Sequence, residues 1–384
     1  MRSRPTPPLL HVGIVSSEFP PEKGGIQTYA WEYAAELARR GNPVTVFTQK
    51  HPEGELAPPG VRVEPMLRLR RRFDRRIVHS ANVDVWHVMN AAYSWLAIET
   101  RRVFVTVHGN DFLCPYLPVA RLDLRERCHL PFGSHADWRL GSWLTSRLVD
   151  RSLPHATHIF ANSKYTAQRF LRQYPRCNGR ISAAMVGVSG KFFAAPRPAR
   201  PPGPPRFITV CRLAESHKNV DLVLRALARL RGAFAFRYIV VGDGYLRPSL
   251  QQLANDLGLA DRVEFTGFVA AERLHPLLLT SDLFVLTSSE TPIAYEGFGL
   301  VYLEAAASGC PVLAARIGGA AEAVEEGISG MFVEEVSVDS IERKLRSFLS
   351  EEARFDSDAC IAFARRFSWE SVVDHCLEHY HGNS

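Results

Sequence analysis

Short apolar runs alternate along the whole chain with stretches whose apolar positions recur every three to four residues. In the first half the runs His11–Ser17, Pro43–Thr48, Val83–Val88, Val103–Val107 and His158–Ala161 have the length and β-branched content of buried strands. Gln27–Arg40 between them carries helical spacing. The alternation stops at Ala194–Pro205, where clustered prolines can continue neither a helix nor a central strand, and this run reads as a linker. It then restarts with Phe207–Cys211, Val220–Leu230, Tyr238–Val241, Leu250–Leu257, Val263–Phe265, Asp282–Leu286, Leu300–Ser308 and Val312–Ala314. Strand–helix alternation of this kind predicts parallel sheets covered by helices on both faces. The expected division is a first α/β domain over 1–190, a linker over 191–205, a second α/β domain over 206–366 and a terminal helical piece over 367–384.

Composition narrows this picture without redirecting it. At 384 residues the chain is long for one core, which favours two domains. A hydrophobic content of 46%, a charged content of 22% and a mean hydropathy of -0.09 are those of a globular protein rather than a disordered or membrane one. No apolar stretch reaches a membrane-spanning length and Met1–Pro8 has no signal-like core, so the expected location is the cytoplasm. Seven scattered cysteines do not form a disulfide framework. The net charge of +6 is unevenly spread: residues 1–190 are basic and residues 206–384 acidic. The first half is therefore the one expected to meet an anionic partner, a membrane surface included.

The densest candidate chemistry follows the strand that ends near Thr287. Glu296-Gly297-Phe298-Gly299-Leu300 leads into a helix expected to start at Leu300, so that backbone N–H groups at its first turn face an anion. Glu296 in the loop and Glu304 inside the helix flank this cradle, separated by something on the order of 10 Å. Carboxylates accept two hydrogen bonds at once and suit vicinal hydroxyls, so the pair fits a sugar and a ribose on either side of a diphosphate. Farther upstream the strand Phe207–Cys211 runs into Arg212, with Lys218 six positions on, and two such cations stabilise a departing diphosphate where no metal does.

With its Glu, seven intervening residues, Glu pattern and Gly-rich turn, the segment Glu296–Glu304 resembles the retaining GT-B glycosyltransferases of family 4. Arg212 and Lys218 also match that family, although Cys211 stands where a Gly is usual. The resemblance implies the GT-B architecture, two Rossmann-like doubly wound parallel-sheet domains facing across a cleft. It implies a sugar-hydroxyl contact for Glu296, ribose contacts for Glu304, and sugar or phosphate contacts for the amides of Phe298, Gly299 and Leu300. Val240–Gly244 and Thr266–Val269 resemble the family's nucleotide-facing loops, which implies Gly242 close to the ligand and Phe268 and Val269 at the base edge. Gly318-Gly319-Ala320-Ala321-Glu322 also fits the family pattern, without an assigned contact.

In the first half the loop after the first strand holds Gly24-Gly25 ahead of a helix. It is too long and Pro-rich for the tight dinucleotide turn, which argues against a dehydrogenase. In the family such a loop covers the diphosphate. Val103–Val107 ends at His108, and the resemblance implies that this His contacts the donor sugar; Asp111 is expected either to bind acceptor or to orient His108. The long segment 112–138 is a candidate acceptor loop, and Cys114, Cys128, His129 and His135 within it match no zinc spacing. Arg68, Arg70, Arg71, Arg72, Arg75 and Arg76, interleaved with Leu67, Leu69, Phe73 and Ile77, form a candidate basic amphipathic patch for an anionic bilayer.

The resulting expectation is a hexosyltransferase that moves sugar from a nucleotide diphosphate to a hydroxyl of a lipid-linked or saccharide acceptor, with retention. It needs no cofactor or metal and binds no nucleic acid. The alternatives are a GT-B sugar-nucleotide epimerase and a non-catalytic sugar-nucleotide-binding protein. The terminal helix, expected at Phe367–His379, returns to the first domain in the family.

Overall fold

The computed structural model describes residues 8–20, 24–49, 57–69, 71–115, 135–198, 202–292 and 294–382. The chain divides into two compact units, one comprising Met1–Val186 with Trp369–Ser384 and the other Gly187–Ser368. The change of unit thus precedes the Pro-rich run, whose described residues belong to the second unit.

The first unit holds a seven-stranded sheet: β1 (Val12–Val15), β2 (Val44–Phe47), β3 (Val61–Glu64), β4 (Val85–Val88), β5 (Val103–Val107), β6 (His158–Ala161) and β7 (Ile181–Ala183). Their order is β3-β2-β1-β4-β5-β6-β7 and every pairing is parallel. In the second unit β8 (Arg206–Val210), β9 (Arg237–Val241), β10 (Val263–Gly267), β11 (Leu283–Leu286), β12 (Val312–Ala315) and β13 (Gly330–Val333) run in the order β10-β9-β8-β11-β12-β13, again all parallel. Central strands β1, β4, β5, β11 and β12 are buried throughout, as helices on both faces of a parallel sheet require. Each order reverses direction once, beside β1 in the first sheet and beside β8 in the second. At such a switch the loops leaving adjacent strands diverge and open a crevice for ligand.

Helix Val220–Leu230 shows how pattern becomes packing. Its apolar residues Val220, Val223, Leu224, Leu227 and Leu230 fall on one stripe, and all are buried in the core of the second unit. Helix Gly25–Arg39 begins two residues earlier than its apolar spacing predicts, because the Gln27 side chain accepts from the Gly24 amide at 3.0 Å and closes the first turn.

Helix Trp369–Tyr380 is covered by the first unit. Its Tyr380 hydroxyl meets the Tyr33 hydroxyl at 2.7 Å and also Nδ1 of His87 on β4, while Nε2 of His87 meets Thr106 Oγ1 at 2.6 Å. Burial pushes the His87 imidazole down to about 3, so the network is neutral. Arg102 donates to the Tyr380 carbonyl at 2.6 Å, and His375 Nε2 reaches Ser182 Oγ at 2.7 Å.

In the arginine-rich stretch the apolar residues mostly face inward and the arginines mostly outward. Leu67, Leu69 and Ile77 point into the core, and Arg71 and Arg75 both reach Glu99, at 2.6 and 3.6 Å. Arg72 and Phe73 stay exposed, with the guanidinium over the ring at 5.2 Å; Arg70 lies outside the described residues. No helix among the described residues is long and apolar enough to cross a membrane.

Candidate active site

In the second unit the loops after β8 and β11 come from the two strands at the switch, and they meet. Lys218, carried by the first loop, donates from Nζ to Glu296 Oε2 in the second at 2.8 Å, and Ser288 Oγ donates to the same oxygen at 3.2 Å. Asn219 adopts a left-handed conformation and ties the loops together, donating to the Thr287 carbonyl at 2.7 Å and to Ser289 Oγ at 3.1 Å. Burial alone would raise the Glu296 carboxyl, but the charge and hydrogen bond of Lys218, then Ser288 and His217, hold it below the usual range. Burial likewise opposes the charge on Lys218, and Glu296 and then Glu215 outweigh it, keeping the ammonium above its ordinary range. The pair is ionised, and each charge is the condition for the other.

The turn behind Glu296 leads into helix Leu300–Ala307, which starts at the expected residue and carries Glu304 within it. Gly299 is its N-cap at φ 87°, and a Cβ there would lie 2.2 Å from the Tyr302 ring. The reason for glycine is conformational, and it leaves the first amides of the helix without a side-chain cap. Gly318 and Gly319 support this turn from below. The Gly319 amide donates to the Glu296 carbonyl at 2.8 Å, and a Cβ on Gly319 would lie 2.0 Å from the Gly297 carbonyl oxygen. Their spacing was visible in the sequence; their contact with the Glu296 loop was not.

Other predicted residues fall around this centre. Arg212 is largely exposed and pairs with Glu215 at 2.9 Å. Gly242, at φ +135°, makes its close approach to protein, since a Cβ there would sit 1.9 Å from the Cys211 carbonyl oxygen. Phe268 is 51% exposed at the end of β10 and Val269 is half-buried, whereas Phe298 is buried against Phe367. Glu215, His217, Ser288 and Asn219 are the residues that sequence reasoning passed over. Only the position of Glu215 between Arg212 and Lys218 offered a signal.

In the first unit His108 ends β5. Its ring lies edge-on to Tyr29, centroids 4.8 Å apart, and its Nε2 is buried without a hydrogen-bond partner. Burial pulls the imidazole below its ordinary range, against the opposing influence of Asp111 and the Met89 backbone, so it is neutral at pH 7. Asp111 Oδ1 accepts from the amides of His108 and Gly109 at 2.8 and 2.9 Å, and Oδ2 from Ala91 at 2.9 Å. Asp111 thereby orients the His108 backbone. Asn162 Nδ2 donates to the His108 carbonyl at 3.0 Å. Gly24 and Gly25 open helix Gly25–Arg39, and Gly25 has nothing within 4 Å of where a Cβ would be.

Among the described residues no group of three or more His, Cys, Asp or Glu is arranged to hold a metal. Cys128 and His129 lie outside those residues.

The model of Glycosyltransferase Family 4 matches residues 23–189, and that of Glycosyl transferases group 1 matches 192–367. A Mycolicibacterium smegmatis protein described as a GDP-mannose-dependent alpha-(1-6)-phosphatidylinositol monomannoside mannosyltransferase is 30% identical over 373 residues, covering 89% of this chain and 90% of that one. The chain belongs to glycosyltransferase family 4. A D-inositol 3-phosphate glycosyltransferase of Mycobacterium bovis is 28% identical over 392 residues, covering 94% of this chain and 79% of the relative. Among solved structures, sucrose-phosphate synthase from Thermosynechococcus elongatus superposes with a TM-score of 0.77 at 18% identity, covering 97% of this chain and 99% of that one. Anabaena HepE in complex with UDP-glucose gives 0.72 at 20% identity, with 96% and 98% covered. At that identity the likeness establishes the fold, which is GT-B. The protein is a family 4 GT-B glycosyltransferase, and the epimerase alternative drops out.

Proposed function

We propose that this glycosyltransferase transfers a hexose from a nucleotide diphosphate sugar, with retention and without a metal, to a hydroxyl of a lipid-linked or saccharide acceptor. The observation that carries the donor half is the mostly buried Lys218–Glu296 pair at the switch of the second sheet, beside the start of helix Leu300–Ala307, which has no side-chain cap. Lys218 and Arg212 balance the charge that grows on the diphosphate as the sugar bond breaks, and the amides of Phe298 and Gly299 leading into that helix, with that of Leu300 at its start, add the helix-dipole contribution. Glu296 already gives Oε2 to Lys218 and Ser288, so we assign its Oε1 to a sugar hydroxyl. Glu304 takes the ribose, Phe268 and Val269 the base edge, and Gly24-Gly25 the diphosphate.

His108, neutral and with Nε2 unpartnered, is assigned to a hydroxyl of the donor sugar. In the retaining course the acceptor hydroxyl enters on the leaving-group side and a phosphate oxygen takes its proton, so no protein nucleophile is required. The likeness to a GDP-mannose-dependent phosphatidylinositol monomannoside mannosyltransferase and to a D-inositol 3-phosphate glycosyltransferase favours GDP-mannose as donor and an inositol-containing lipid or phosphate as acceptor. Exposed Arg72 and Phe73 fit a peripheral approach to an anionic bilayer from the cytoplasm.

A thermal-shift screen against GDP-mannose, UDP-glucose and ADP-glucose tests the donor half. A rise in Tm with one of them is expected, and silence from all three removes it. NMR assignment of the product linkage tests retention, and an inverted anomeric centre overturns it.

A further inference from the structure

Glu215 has no part in the donor-binding scheme, yet it stands where that scheme would place negative charge. Its Oε1 is 2.9 Å from the Arg212 guanidinium, and its Oε2 lies 3.7 Å from Lys218 Nζ. Without ligand, therefore, both cations assigned to the diphosphate already have a carboxylate beside them, and Lys218 has a second in Glu296 at 2.8 Å. An incoming diphosphate meets this charge at short range, where like charges repel strongly in a partly buried setting.

The two carboxylates near Lys218 are not equivalent. Glu296 makes a close hydrogen bond to Lys218 and takes a second from Ser288, so it is fixed. Glu215 touches Lys218 only at ion-pair distance and leans on Arg212, whose side chain is 67% exposed. Glu215 also has somewhere to go. It lines a cavity of about 740 Å³ between helices Val220–Leu230 and Arg247–Asp256, which neither Glu296 nor Glu304 borders. His217 lines the same cavity, and its buried Nε2 has no hydrogen-bond partner and lies 3.8 Å from Glu215 Oε2.

We propose that Glu215 is a resident counter-ion of the donor site, holding Arg212 and Lys218 in the empty enzyme and giving them up to the diphosphate by turning toward His217. It is a positioning residue rather than a catalytic one. It lowers affinity for the nucleoside diphosphate product and so favours turnover. The inference rests on the donor reading above, and the test separates the two.

Binding of GDP and UDP to the full-length wild type and to Glu215→Gln and Glu215→Asp is measured by calorimetry at two salt concentrations. Glu215→Gln keeps a hydrogen-bonding end but loses the charge, so the preferred nucleotide should bind about five- to tenfold more tightly, with a steeper salt dependence because one more protein cation is free to pair with phosphate. Glu215→Asp, one methylene shorter, should fall between. The KM for donor should drop in Glu215→Gln by a similar factor, whereas a merely structural residue would lose affinity when changed. Equal or weaker binding by Glu215→Gln, with normal binding by wild type, overturns the counter-ion role alone. Failure of wild type to bind either nucleotide overturns the donor reading and this inference with it.

Discussion

At the carboxyl edge of the second sheet a mostly buried ammonium lies between two carboxylates, whereas at the carboxyl edge of the first a mostly buried imidazole lies among an aromatic ring, amides and a carboxylate turned to the backbone. The first arrangement stores charge in pairs that an anion can enter. The second holds a neutral group at a fixed orientation, since Asp111 spends its two oxygens on three backbone N–H groups and Asn162 holds the His108 carbonyl. One family of sheet thus carries two kinds of arrangement, one suited to balancing charge and one to directional neutral hydrogen bonding.

The contrast breaks most sharply at Lys218. Lys218→Ala leaves Glu296 buried without its counter-ion, and denaturant unfolding should show a loss of about 3–5 kcal/mol. Adding Glu296→Gln should recover a large part of that loss while donor binding stays absent. If the single change costs no more than a surface pair would, the charged half of the comparison fails.

The first unit holds a second neutral imidazole, His87 on β4, which acid exposes. His87, held near 3 when folded against about 6.5 when unfolded, is bound by more protons in the unfolded chain between those values. Its contribution is complete above about pH 6.5 and is lost as pH falls toward 3, amounting to about 2 kcal/mol by pH 5. Unfolding free energies at pH 7 and pH 5 should show that loss in wild type and a smaller one in His87→Gln. Equal slopes in the two would mean that His87 is not kept neutral by its surroundings.

The smallest effect sharpens the role of Asp111. Asp111→Asn turns one accepting oxygen into a donor facing backbone N–H groups, and should cost about 1–2 kcal/mol with a matching drop in Tm. Turnover at saturating acceptor should fall with it. A raised KM for acceptor at unchanged stability would instead make Asp111 an acceptor ligand.

Much of the fold was legible because central parallel strands and amphipathic helices carry strong local patterns. Val103–Val107, His158–Ala161 and Val220–Leu230 have in the structure the bounds that their residues predict. The strands missed, β3, β7 and β13, are the outermost of their sheets. β3 is half-exposed and alternates charge with valine, β7 has three residues, and the apolar run of β13 is only Met331–Val333 between a glycine and two glutamates, so none presents a long apolar run. The arginine-rich stretch was ambiguous for a related reason. Interleaved apolar residues look the same whether they turn outward to a bilayer or inward, as Leu67, Leu69 and Ile77 do.

By itself, the sequence determined the class of fold, the start of helix Leu300–Ala307 and the residue types able to hold a diphosphate, because these follow from local period, turn chemistry and charge. Tertiary structure alone decided which charges are spent on one another. The pairs of Glu215 with Arg212 and Lys218 are local to one loop, whereas Lys218 and Glu296 are 78 positions apart, and Gly319 meets the Glu296 loop through a later strand. Pairings of that kind depend on which strands lie side by side at the switch, and no local pattern encodes that distance.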